Sequence, residues 1–156
     1  MRDDRNYKKS NKITEVGFSI SEKSFDLAQK IIKSIGVDER QELSVDLLDE
    51  LCDLAKIDIV QVEILAKNQK HRKKDGKVVM RQYGYYQPDK QIITITNQTA
   101  VRGAHLAGKT FLNTLLHEWV HHYDTFALKL ISIHSKGFYL RLNHIEKQLR
   151  YGRDNI

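Results

Sequence analysis

Apolar residues recur at helical spacing in several stretches of the chain. Phe25, Ala28, Ile31, Ile32 and Ile35 fall on one face of a helix over 20–35, opened by Ser19-Ile20-Ser21-Glu22 in the S-x-x-E capping-box form and stopped at Gly36. Leu47, Leu48, Leu51, Leu54 and Ala55 mark a second helix over 45–56, with Ser44 as its cap and Asp46, Asp49 and Glu50 near its positive end. A third helix is expected over 109–128. A fourth covers 135–150, with Phe138, Leu142, Ile145 and Leu149 facing inward.

Between the second and third helices the period changes to two. Ile57, Ile59, Val62 and Ile64 suggest a strand, Asp75-Gly76 is a hairpin turn signal, and Val78 to Tyr86 reads as the return strand. Pro88-Asp89-Lys90 then turns the chain into a third strand, Gln91 to Asn97. Consecutive strands joined by turns imply an antiparallel meander, and the fold class is α+β.

Composition adds limits to this pattern. At 156 residues, with 40% hydrophobic and 29% charged residues, the chain has the size and content of one globular domain rather than a disordered segment. We expect residues 1–18 to be a basic, poorly ordered arm ahead of a single domain over 19–156. No apolar run approaches the roughly 18 residues of a membrane span, and the polar N-terminus lacks a signal-peptide core, so a cytoplasmic location without membrane contact is expected. Cys52, the only cysteine, excludes an intramolecular disulfide and a cysteine-based zinc knuckle, and its leucine-rich setting predicts burial.

The net charge of +6 is uneven: residues 13–66 carry −7, whereas 67–77 carry +5. Lys70, Arg72, Lys73 and Lys74 concentrate that positive charge at a loop tip. These four are candidate contacts for DNA or another polyanion. A non-catalytic nucleic-acid-binding module is therefore an alternative reading of the chain.

The strongest chemical signal lies in the third helix. Leu116-His117-Glu118-Trp119-Val120-His121 contains H-E-x-x-H, which on a helix places two imidazoles one turn apart and a carboxylate beside them. That arrangement suits two ligands of one zinc ion and a general base, Glu118. A catalytic zinc site needs a third protein ligand. Asp124 and Ala127 occupy the positions where a metzincin would have Gly and His, so that pattern is excluded. His134 is the third-ligand candidate, since a loop turning back after Leu130 could return it to the helix. Asp124 lies on the metal face, where it could orient a ligand imidazole or itself serve as a ligand. His122 points away on the helical wheel.

With His134-Ser135-Lys136-Gly137-Phe138-Tyr139 following the helix motif, the chain resembles the SprT-like zinc metallopeptidases over roughly residues 20–150. The resemblance implies a zincin-like core, zinc held by His117, His121 and His134, and Glu118 as catalytic base. The implied partner is a protein or peptide substrate. The cysteine zinc ribbon or separate DNA-binding modules that better-known members carry after the core are not found in this sequence, so the resemblance is not expected to extend to their role in repairing DNA–protein crosslinks. Independently of the family, Glu118 would take a proton from a zinc-activated water and deliver it to the leaving amine. Tyr83, Tyr85, Tyr86, Tyr123 and Tyr139 are unranked candidates for stabilising the oxyanion, and the strand around Ile92 to Thr96 is the expected edge for substrate pairing.

One competing motif remains. Gly103-Ala104-His105-Leu106-Ala107-Gly108-Lys109-Thr110 matches the G-x-x-x-x-G-K-T phosphate loop. Five residues separate it from the preceding strand, and only 46 follow it, too few for the parallel strands of a nucleotide-binding sheet. Nucleotide binding is the least favoured alternative.

Overall fold

The computed structural model describes residues 4–66, 72–74, 77–80, 83–98 and 104–151. The class is α+β: helices α1 (Asp4–Lys12), α2 (Glu22–Lys33), α3 (Val37–Ala55), α4 (Gly108–Phe126) and α5 (Lys136–Tyr151) accompany a small sheet, which α3 and α4 contact. Its strands are β1 (Gln61–Leu65), β4 (Gly84–Gln87) and β5 (Ile92–Thr96), while β2 (Arg72–Lys74) and β3 (Lys77–Met80) form a separate antiparallel ribbon.

The expected meander is not what forms. The sheet order is β1-β5-β4, with β1 parallel to β5 and β4 antiparallel to it. Sequence alternation identifies a strand but not its partner, and two features, one local and one not, accompany the pairing here. Asp75 and Gly76 lie outside the described residues, but the strands flanking them pair with each other, so the hairpin is closed locally and β1 is left out of it. The β1 backbone is instead held by Gln41, whose side chain donates to the carbonyl of Val62 and accepts from the amide of Ile64, both at 2.8 Å. β5 is buried along nearly its whole length, as expected of a strand with neighbours on both sides.

Two helix starts also differ from expectation. The α2 cap is Ser21, which exchanges hydrogen bonds with Ser24 in a capping box two residues later than the S-x-x-E form suggested. Ile20 is buried immediately before it, so the chain enters the core and turns into the helix only afterwards. α3 begins at Val37 rather than 45, with Gly36 at its cap position and Asp38 and Glu39 in the first turn, where they complement the helix dipole. Ser44 is consequently buried inside α3.

The core is built on α4. Phe111, Leu112, Leu115, Leu116, Trp119 and Val120 are essentially fully buried, on a helix that packs against α2, α3, α5 and the sheet. Each such side chain contributes roughly 1.5–3 kcal/mol of transfer free energy. Cys52 is buried as expected, and its sulfur accepts from the Trp119 indole at 3.3 Å. At the start of α4, a Cβ on Gly108 would lie 1.8 Å from the Ile32 carbonyl oxygen, so the close crossing of α2 and α4 requires glycine there.

Residues 4–12, expected within a poorly ordered arm, are helical instead. α1 is fastened to the segment between α4 and α5 by side chain–backbone bonds. Asn6 donates to the Ile131 carbonyl and accepts from its amide, both at 2.9 Å. Lys9 Nζ donates to the Leu128 carbonyl at 2.8 Å, and in the first turn of α5 the Gly137 amide donates to Asn11 at 2.8 Å. These bonds come from polar residues that look merely solvated in the sequence. Among the described residues no helix is long and apolar enough to cross a membrane.

Candidate metal centre

His117 and His121 leave α4 on the same face, as the helical repeat requires, and the segment after α4 turns back to meet them. Leu130 donates its amide to the Asp124 carbonyl at 3.0 Å, which folds the chain toward the helix before it enters α5. His134 thereby arrives with its Nε2 3.1 Å from His117 Nε2 and 3.0 Å from His121 Nε2. Candidate ligand atoms of all three residues lie within 4.8 Å of one another.

These separations fit a single ion. Tetrahedral nitrogen ligands about 2.0–2.1 Å from zinc lie roughly 3.3 Å apart, close to the two separations that His134 makes with His117 and His121. The donor chemistry fits as well, because a ligand imidazole must be neutral. Burial and the neighbouring His134 lower the His117 pKa to about 4, and burial with both neighbouring imidazoles lowers that of His121 to about 3. Phe138 forms an apolar floor under the cluster: its ring stacks on His121 at 4.5 Å and meets His117 at 5.0 Å and His134 at 5.3 Å edge-on. The three histidines could therefore hold a metal ion.

Glu118 lies beside them in a cleft of about 740 Å³ that His117, His121 and His134 also line. It is 8% exposed, and burial raises its carboxyl to about 7. The side of the cleft formed by β4 is contributed by Gly84, Tyr85 and Tyr86. Substrate pairing along Ile92 to Thr96 is thereby corrected: β5 is the central strand, with both edges engaged, and β4 is the edge strand that borders the cleft.

Asp124 does not touch an imidazole. It lies at the centre of a buried network in which Arg141 donates from Nε to Oδ1 at 3.0 Å and from Nη2 to Oδ2 at 2.8 Å. Ser132 Oγ donates to Oδ2 at 3.0 Å and lies 2.8 Å from His121 Nδ1. Asp124 thus reaches His121 through an intervening hydroxyl rather than directly. Burial pushes the Asp124 carboxyl upward, while its bonds to Arg141 and Ser132 pull it back toward the ionised form. Arg141 also donates to the carbonyls of Ser10 and Ile13, which links the network to α1.

His122 is excluded from the cluster by its own bonds. Its Nε2 donates to the Asp58 carbonyl at 2.7 Å, so the neutral ring presents Nδ1 as an acceptor, and the Tyr86 hydroxyl donates to it at 2.7 Å. Burial disfavours charge on both partners, lowering His122 and raising Tyr86. The Tyr86 proton is therefore committed to His122. Tyr123 is also engaged elsewhere, stacked on Trp119 and accepting from the Gly17 amide. Tyr83 and Tyr85 line the cleft, and the Tyr139 ring lies 6.2 Å from His117 and 6.0 Å from His134.

Ser132, Arg141 and Phe138 were not singled out as site residues by sequence reasoning. Arg141 did carry a signal, as a lone cation beside the apolar stripe of α5, whereas the role of Ser132 depends on a tertiary turn. Of the other candidates, Lys70 and Gly103 lie outside the described residues, as do the side chains of Arg72, Lys73 and Lys74. Lys109 and Thr110 are exposed on the first turn of α4. Compared with protein-family models, curated proteins and solved structures, the chain matches none.

Proposed function

We propose that the chain is a zinc-dependent peptidase with a zincin-like core of the SprT-like kind. One observation carries this reading: three imidazoles converge through Nε2 beside a buried carboxyl in an open cleft. A purely structural site has no use for Glu118. Zinc, when bound by His117, His121 and His134, supplies a Lewis acid that acidifies water and polarises a carbonyl.

The chain's own residues perform the rest. Glu118 takes the proton of the attacking water on its carboxylate and returns it to the nitrogen of the departing amine, so it ends the cycle ionised as it began. Phe138 backs the imidazoles and keeps water from their inner side. The β4 backbone offers an edge along which an extended peptide could pair, and Tyr83, Tyr85 and Tyr139 are the tyrosines whose position suits stabilising the oxyanion.

The test is Glu118→Gln, which preserves shape but cannot accept the proton. Zinc content measured by mass spectrometry should match the parent, while cleavage of an unfolded protein should fall by at least 10²–10⁴-fold. Equal turnover in variant and parent would refute the peptidase mechanism.

A further inference from the structure

We propose that Ser132 is a positioning residue that holds His121 as its Nδ1–H tautomer, with Nε2 presented to His117 and His134. The inference rests on the reading of those histidines as a metal centre, and it concerns a residue two positions before the third ligand. Ser132 Oγ has one proton and two close polar neighbours, Asp124 Oδ2 at 3.0 Å and His121 Nδ1 at 2.8 Å. Asp124 is fixed as a carboxylate by two bonds from the buried Arg141 guanidinium, and a carboxylate can only accept.

The hydroxyl proton therefore points to Asp124. Were it to point to His121 instead, two oxygen acceptors would face each other at 3.0 Å in a part-buried setting, an unfavourable arrangement beside a fully buried carboxylate. With its proton spent, Ser132 presents lone pairs to His121, and Nδ1 must supply the hydrogen. A neutral imidazole carrying its proton on Nδ1 has its lone pair on Nε2, the atom that faces the other two histidines. The relay thus runs Arg141, Asp124, Ser132, His121, and every bond has one donor and one acceptor.

A hydroxyl between carboxylate and imidazole also places the charge one residue back from the centre. The site gains orientation from Asp124 without a carboxylate competing as a ligand. Loss of such an orienting partner typically weakens metal binding by 10–100-fold.

The experiment uses the full chain. Nitrogen-15 spectra of the imidazole side chains in metal-free protein report which nitrogen of His121 is protonated, and a zinc competition titration reports affinity. In the parent, His121 should be protonated on Nδ1. In Ser132→Ala the Nε2–H form should gain population and zinc binding should weaken by about 10–100-fold, with Ser132→Thr restoring both and confirming that the hydroxyl is what matters. An unchanged tautomer in Ser132→Ala, with zinc affinity within about twofold of the parent, would overturn the proposal. Should the tautomer respond while the parent binds no zinc, the relay stands and the metal centre falls.

Discussion

Arg40 and Arg141 are both fully buried, and each meets the cost of burying a cation differently. Arg40 lies among neutral acceptors, the Ser34 hydroxyl and carbonyl, the Asn97 side chain and the Leu106 carbonyl, with its guanidinium 4.8 Å from the Phe111 ring centre. Arg141 has a true counterion in Asp124. Breaking such a pair is costly because the remaining charge stays buried, by roughly 3–5 kcal/mol. Arg141→Met should therefore lower stability by about that much in urea denaturation, and the double variant Arg141→Met with Asp124→Leu should recover a large part of the loss. A loss below about 1 kcal/mol in the single variant would show that Asp124 is solvated or protonated without its partner. The double variant should still bind zinc more weakly than the parent, since Ser132 would have lost its acceptor. At this scale the sequence was legible where chemistry and local geometry coincide. His117 and His121 are brought together by the helix repeat alone, and Glu118 is carried with them. Ser132 was illegible because its two partners, Asp124 and His121, meet it only after the chain reverses.

The elements show the same division between local and non-local information. Apolar periodicity located α2, α4 and α5 to within a few residues, since burying one helical face is a property of the segment. It missed α1, whose value lies in bonds from Asn6, Lys9 and Asn11 to a segment more than a hundred residues away. It also missed the sheet order, because strand partners are chosen by neighbours such as Gln41 that alternation does not reveal. The placement of α1 has a consequence for the site. Residues 127–135 contain no helix or strand, and Ile131, three residues before His134, is held on both its amide and its carbonyl by Asn6. Asn6→Ala removes both bonds. Each is worth about 0.5–1.5 kcal/mol, so the Ile131 amide should exchange with solvent about tenfold faster or more, while amides within α4 keep their protection. Gly137→Ala approaches the same contact from the other side, because a Cβ there would lie 1.9 Å from the Ser10 carbonyl oxygen. It should detach α1 and speed exchange at Ile131 as well. Unchanged exchange in both variants would mean that the segment holds its shape without α1.

Considered as one object, the molecule places its ligands at a seam. His117 and His121 belong to the most buried helix, and His134 belongs to the irregular segment between that helix and α5, so an ion bound by all three ties the loosest part of the site to the firmest. The unfolded chain has no such convergence, apart from the pair within H-E-x-x-H. Metal should therefore bind the folded form preferentially and stabilise it by mass action. At free zinc about 100 times its dissociation constant the gain is about 2.7 kcal/mol, which for a chain of this length corresponds to a rise in Tm of roughly 5–10 °C. The variants separate the contributions. Glu118→Gln should keep the whole increment, because Glu118 acts on protons rather than as a ligand. His134→Ala should lose most of it, because two ligands on one helix remain available in partly unfolded forms as well. His117→Ala should lose it too, because His121 and His134 alone leave the ion a single helix ligand and one from the returning segment, and its melting curve should match that of the parent in chelator. If zinc leaves the parent's Tm where chelator puts it, the three histidines do not form a metal centre. A rise that survives His134→Ala intact would instead assign the ion to α4 alone, with the returning segment no part of the site.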